Sequence, residues 1–127
     1  MACNCSGKNM GQETYGYNVI FEKLHPMAQL PVYAHSGDAG ADLFAVEDVT
    51  LKPFEVSLLR TGLRMKIPAS INPFFRIEAQ VRARSSMGKN GILVANAPGT
   101  IDQDYRGEIF VQLVKVTPGE WTIMKGD

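Results

Sequence analysis

The sequence predicts an all-β domain, either a sandwich or a barrel. Short apolar runs rich in β-branched and aromatic residues recur along the chain, and Pro and Gly separate them. No run of ten or more residues shows a helical period of 3.6. The 127 residues are the length of one domain, which can bury a core without metals or disulfides.

The elements follow in order along the chain. Residues 1–16 are rich in Gly, Ser, Asn and Gln, and we expect a flexible N-terminal tail there, followed by a β domain over residues 17–127. Ser85 is predicted to be the N-cap of a short helix that Gly88 keeps brief. Residues 117–120, Thr-Pro-Gly-Glu, predict a turn. The predicted strands cover residues 17–24, 56–61, 63–67, 74–81, 91–95 and 108–116, with another beginning at 121.

Charge and cysteine content bound the function classes. Thirteen basic and thirteen acidic residues give no net charge, which argues against nucleic acid or a membrane surface as the partner. A small anionic ligand is still possible, because a few positioned hydrogen-bond donors are enough to bind one. Cys3 and Cys5 fit a reducing compartment, and no apolar run resembles a membrane span or signal peptide. We therefore expect a cytoplasmic protein.

Two polar segments contain candidate residues for binding an anion. Residues 39–43, Ala-Gly-Ala-Asp-Leu, place Asp42 among small residues, where it either positions water or a metal-bound phosphate or simply caps a turn. Residues 82–88 carry two Arg and two Ser, which suit an oxyanion cradle or, alternatively, a solvated loop.

A third segment, residues 96–109, predicts a long ordered hairpin, because strand-like runs flank it. Asn96 offers both a donor and an acceptor for a base edge. Tyr105 offers a flat face for a sugar or base, and Asp102 can accept a proton from water. The alternative is a turn that only sets strand register.

Together these segments resemble the trimeric dUTPase family over about residues 18–127. Residues 39–43, 83–88 and 99–107 are similar to its first three motifs, and Asn96 falls where the family has a uracil-contacting Asn. The resemblance implies a jelly-roll-like β-sandwich that forms a homotrimer with active sites between subunits. It also implies hydrolysis of dUTP to dUMP and pyrophosphate with Mg²⁺.

The resemblance also implies residue roles. Asp102 would activate the attacking water, Tyr105 would pack on the deoxyribose and exclude a 2′-hydroxyl, and Asp42 would support the metal through water. The remaining substrate-binding residues fall into two groups: Arg84, Ser85 and Ser86 for the phosphates, and Asn96 with main chain around Thr100, Ile101 and Phe110 for the uracil.

Two departures from the family qualify this prediction. Ser86 replaces the Gly that commonly follows Arg-Ser in the second motif. Residues 126–127, Gly-Asp, match the opening of the fourth motif, so we expect a domain truncated before the fourth and fifth motifs, with weak or absent turnover.

Two other functions fit parts of the sequence. One is a non-catalytic module that binds nucleotide or protein. The other is dCTP deaminase, which shares the fold but needs a Glu general base where this chain has Gln112. Because a neutral amide cannot serve as that base, deamination is the less favoured interpretation.

Overall fold

The structure is a computed structural model that describes residues 18–70 and 72–127. The predicted flexible tail, residues 1–16, lies outside the described residues. The described part contains nine short strands and one short helix. Their bounds are β1 Ile20–Lys23, β2 Val49–Leu51, β3 Val56–Arg60, β4 Leu63–Lys66, β5 Ala79–Val81, α1 Ser85–Lys89, β6 Ile92–Val94, β7 Gly99–Ile101, β8 Phe110–Lys115 and β9 Trp121–Ile123.

The strands form four small antiparallel sheets, which confirms the all-β prediction. Three sheets are pairs, β1 with β4, β2 with β9 and β5 with β7, and the fourth has the order β3-β8-β6. Partners such as β2 and β9 are far apart in the sequence, so these sheets depend on long-range contacts.

A common core joins the sheets. Each sheet contributes buried side chains to one apolar cluster, because alternate residues of a strand point to opposite faces. Leu51 of β2, Leu63 of β4 and Ile92 of β6 are almost completely buried. Outside the strands, Ile109 is also buried in this core, directly before β8.

The structure corrects two predictions about local elements. Residues 74–78 are not part of a strand, which begins only at Ala79. The Asn72 side chain accepts the Phe74 N–H at 2.9 Å and the Phe75 N–H donates to the Asn72 carbonyl at 3.1 Å, so a turn occupies the start of the predicted run. The N-cap of α1 is Arg84 rather than Ser85, and its side chain makes no capping bond. Gly88 lies within α1, and the chain leaves the helix at Gly91, whose φ is +70°.

The predicted long hairpin is present but contains an additional strand. Strands β6 and β8 pair antiparallel, and residues 95–109 connect them. Within that connection β7 leaves to pair with β5, with Ala79 opposite Ile101 and Val81 opposite Gly99. The connection is therefore tied to two sheets, which fixes the polar residues that follow β7.

Candidate functional site

A cavity of about 270 Å³ lies beside the long hairpin. Its walls include all six residues that the sequence predicts for the nucleoside and the water: Asn96, Thr100, Ile101, Asp102, Tyr105 and Phe110. Buried apolar side chains such as Val94 and Ile109 form part of the same walls. The structure thus brings an amide, a carboxylate and an aromatic ring together around one small apolar space.

The turn after β7 sets the positions of Asp102 and Tyr105. The Tyr105 N–H donates to the Asp102 carbonyl at 3.0 Å, which closes the turn. The phenol of Tyr105 donates to the Glu108 carbonyl at 2.9 Å, while its ring remains half-exposed at the cavity. The exposed Asp102 carboxylate accepts no hydrogen bond within the described ranges, so it is free to accept one from water.

An ion pair holds the base of this hairpin against the corner between β3 and β4. Both Glu108 oxygens accept from the Arg60 guanidinium, at 3.1 Å from Nε and 3.0 Å from Nη2. Glu108 also accepts the Gly62 N–H at 2.9 Å, where Gly62 has a φ of +64°. The hydrogen bond from Arg60 to Glu108, and then the charge of that carboxylate, raise the pKa of Arg60 above its ordinary value.

A second cavity of about 440 Å³ contains the predicted phosphate-side residues Asp42, Arg84 and Ser86. Arg84 is held by three contacts. Its Nε lies 2.8 Å from an Asp42 carboxylate oxygen, its Nη2 donates to the Leu43 carbonyl at 3.3 Å, and its guanidinium lies 5.9 Å from the centre of the Phe44 ring. Ser85 is exposed at the start of α1 and does not line either cavity.

The two groups of predicted residues therefore occupy different cavities of one chain. Val81 and Val111 border both cavities, so the cavities are neighbours, but Asp102 and Arg84 do not share one. Within the described residues, a single chain keeps the residues predicted for the nucleoside apart from those predicted for the phosphates.

Sequence reasoning missed some residues around these cavities. Gln112 lines the smaller cavity, but it was not predicted as a site residue and entered the sequence analysis only as an argument against deamination. Phe110 and Gln112 share a face of β8, which the period of two along a strand could have revealed. The pairing of Arg60 with Glu108 joins residues 48 positions apart, and no local pattern signals it.

Metal-binding clusters and membrane spans are both absent from the part of the chain that the structure describes. No group of three or more His, Cys, Asp or Glu residues there could hold a metal ion. No helix there is long and apolar enough to cross a membrane.

A sequence model of the dUTPase family matches residues 27–127, which is most of the chain. This chain belongs to the dUTPase family. Deoxyuridine 5′-triphosphate nucleotidohydrolase of Clostridium novyi (strain NT) is 44% identical over 109 residues, covering 85% of this chain and 72% of that protein. The enzyme of the same name from Solibacter usitatus (strain Ellin6076) is 48% identical over 112 residues, covering 86% and 72%.

Solved dUTPase structures share the fold at low sequence identity. The dUTPase from phage phi11 of S. aureus has a TM-score of 0.76 at 20% identity, over 87% of this chain and 84% of that one. The EIAV dUTPase has a TM-score of 0.70 at 22% identity, over 87% and 81%. These matches confirm the jelly-roll-like all-β prediction. A mutant of the phi11 enzyme coordinates a structural Mg(II) ion, and a mutant of the Staphylococcus bacteriophage 80alpha dUTPase was solved with dUpNHpp.

Proposed function

We propose that this dUTPase-family chain hydrolyses dUTP to dUMP and pyrophosphate. Curated relatives at 44% and 48% identity are named deoxyuridine 5′-triphosphate nucleotidohydrolase. The single structural observation that carries the proposal is the smaller cavity, where Asn96, Asp102 and Tyr105 converge from one connection between β6 and β8.

The smaller cavity suits a deoxyuridine. The Asn96 amide offers a donor and an acceptor to the base edge, as uracil requires. The apolar walls at Val94 and Ile109 suit the faces of the base, and the half-exposed ring of Tyr105 suits the sugar. A ring packed on the sugar leaves no space for a 2′-hydroxyl, and this gives selectivity for deoxynucleotides.

Asp102 is the proposed catalytic residue. Its exposed carboxylate accepts a proton from the water that attacks phosphorus, and the bond between the α- and β-phosphates breaks to release pyrophosphate. Such a displacement depends on positioning and on charge stabilisation more than on covalent catalysis. The main-chain bond from the Tyr105 N–H to the Asp102 carbonyl holds both residues in one turn at the cavity.

The phosphates are assigned to Arg84, Ser85 and Ser86 of a neighbouring copy, in a homotrimer with active sites between subunits. Two observations support this assembly. The phosphate-side residues and Asp102 occupy separate cavities of one chain. In addition, the outer face of the β3-β8-β6 sheet exposes apolar side chains beside the smaller cavity. These side chains are Val56, Leu58, Leu93 and Phe110.

Mg²⁺ fits the residues present. When bound to the triphosphate it would neutralise charge on the phosphate oxygens, and it usually keeps several waters and takes few protein ligands. A cluster of acidic ligands is therefore not required, and Asp42 would support the ion through water. One Asp42 oxygen already bonds Arg84, so the Asp42 carboxylate would connect the Arg84 guanidinium to the hydrated Mg²⁺. We place the reaction in the cytoplasm.

The test compares pyrophosphate release from dUTP with Mg²⁺ in two Asn variants of the same hairpin. Asp102→Asn removes the proton acceptor, so we expect a rate loss of at least about a hundredfold. Asp104→Asn is the matched control, because Asp104 is two positions away and does not line either cavity. Equal rates in wild type and Asp102→Asn would reject the role of Asp102.

Two further measurements on the wild type, dUMP binding and ammonia release from dCTP, separate the other two functions. Binding of dUMP without pyrophosphate release by the wild type would identify a nucleotide-binding module instead of an enzyme. Ammonia release from dCTP would identify a deaminase, which we do not expect because the cavity presents the neutral amide of Gln112.

A further inference from the structure

The position of the Tyr105 ring depends on a glycine two residues later. The phenol reaches past Gly107 to donate to the Glu108 carbonyl at 2.9 Å. A Cβ atom at Gly107 would lie 2.5 Å from the phenol oxygen and 2.8 Å from Cζ of Tyr105, which is closer than real side chains come. The ring can therefore occupy its site only while residue 107 has no side chain.

Backbone conformation does not explain this glycine. The φ angle of Gly107 is not positive, so an L residue can adopt its backbone conformation. The atoms that a Cβ would meet belong to the far end of one side chain, so the Tyr105 ring can move while the backbone keeps its place. An alanine at this position is thus expected to fold and to displace the ring.

The acceptor of the phenol is itself fixed. The Glu108 carboxylate is held by Arg60 at 3.0 Å and by the Gly62 N–H at 2.9 Å, and its side chain is only 13% exposed. The carbonyl that receives the phenol is therefore anchored to the corner between β3 and β4 rather than to the hairpin tip alone.

From this geometry we propose that Gly107 is a specificity-determining position in this chain. By leaving room for the bond between Tyr105 and Glu108, it holds the aromatic ring at the distance where a 2′-hydroxyl is excluded. Gly107 is a positioning residue, since it acts through the ring and does not contact the nucleotide. The inference rests on the proposed function, because it names what sets sugar selectivity at the same cavity.

The experiment is a double-mutant cycle read out as sugar selectivity. The ratio of dUMP to UMP affinity is measured by calorimetry for wild type, Gly107→Ala, Tyr105→Ala and the double variant. We expect Gly107→Ala to lower the ratio by about two- to tenfold, the range of one hydrogen bond. In the Tyr105→Ala background the same change should have no further effect, because the ring through which it acts is gone.

The control is Gly37→Ala, where an added Cβ meets no atom within 4 Å. We expect this variant to keep both the wild-type ratio and the melting temperature. An unchanged ratio in Gly107→Ala would overturn the proposal. An equal loss in the wild-type and the Tyr105→Ala backgrounds would also overturn it, because it would indicate a general structural effect.

A crystal structure of Gly107→Ala separates this inference from the proposed function. If wild type binds neither dUMP nor UMP, the proposed function fails, and the position of the ring still tests the steric argument. A displaced phenol supports the positioning role. A phenol that remains within hydrogen-bond distance of the Glu108 carbonyl contradicts it.

Discussion

At the residue scale, the most organised side chain among the residues predicted for the phosphates is Arg84. Asp42, the Leu43 carbonyl and the Phe44 ring all contact it, and all three belong to a segment that begins at Asp42, which forms an isolated bridge with Val32. A planar guanidinium can make these contacts together, whereas an ammonium group cannot. The guanidinium is therefore already oriented in the unliganded chain, which would lower the entropy cost of the proposed phosphate binding.

We predict that Arg84→Lys weakens dUTP binding by about tenfold while leaving the affinity for deoxyuridine unchanged. The lysine keeps the positive charge but loses the planar set of guanidinium donors and the contact with the Phe44 ring. The loss of affinity should therefore appear only with ligands that carry phosphates. Calorimetry with a non-hydrolysable dUTP analogue and with deoxyuridine measures both affinities. Arg76→Lys is the control, since the hydrogen bonds of Arg76 to the described residues are to the nearby Pro73 and Phe75 carbonyls. Equal losses for both ligands would contradict this role of Arg84.

At the element scale, the corner between β3 and β4 supports the hairpin. Thr61 is 2% exposed, and its hydroxyl donates to the Ile109 carbonyl at 2.7 Å and accepts the Leu63 N–H at 3.2 Å. The Ile109 N–H returns a bond to the Leu63 carbonyl at 2.7 Å. These bonds join the end of the 95–109 connection to a corner that lies 48 positions away in the sequence.

We predict that Thr61→Val lowers the free energy of unfolding by about 1–3 kcal/mol, because a buried carbonyl and a buried N–H lose their partner. Urea denaturation measures the change. Thr50→Val is the control: the Thr50 hydroxyl bonds Thr122 at 3.1 Å on an exposed surface, so water replaces that bond and the expected change is about 0.5 kcal/mol or less. Similar losses in the two variants would refute the importance of burial at Thr61.

At the scale of the whole molecule, the outer face of the β3-β8-β6 sheet is the surface that the proposed trimer would bury. Val56 is 60% exposed and Leu58 is 54% exposed, although both are apolar residues of a paired strand. Leu59 and Leu113 are buried on the other face, so apolar side chains occupy both sides of the sheet. A sheet of this kind usually has a partner on each face.

We predict that Val56→Lys converts a trimer into monomers, because three copies of a charge would be buried at the interface. Light scattering after size-exclusion chromatography measures the mass. Ile20→Lys is the control, since Ile20 is 61% exposed on β1, in a different sheet. A monomeric wild type, or a trimer that survives Val56→Lys, would contradict the proposed interface.

The sequence by itself determined what depends on local patterns. Alternating and turn-bounded runs predicted β1, β3, β4, β5, β6, β8 and β9, and the motif around residues 99–107 placed Asp102 and Tyr105 at one turn. Strands β2 and β7 were not predicted, because no local run in the sequence indicated them, and each pairs with a distant strand, β9 or β5. Short segments of this kind take their conformation from the sheet they join.

Only the tertiary structure decided how the predicted site is divided and what supports it. It placed Asp102 and Arg84 in separate cavities, and it paired Arg60 with Glu108 across the fold. It also showed that the side chain of Tyr105 passes over Gly107. The physical reason is that motifs specify residue types along the chain, whereas distances between side chains are set when sheets pack around one core.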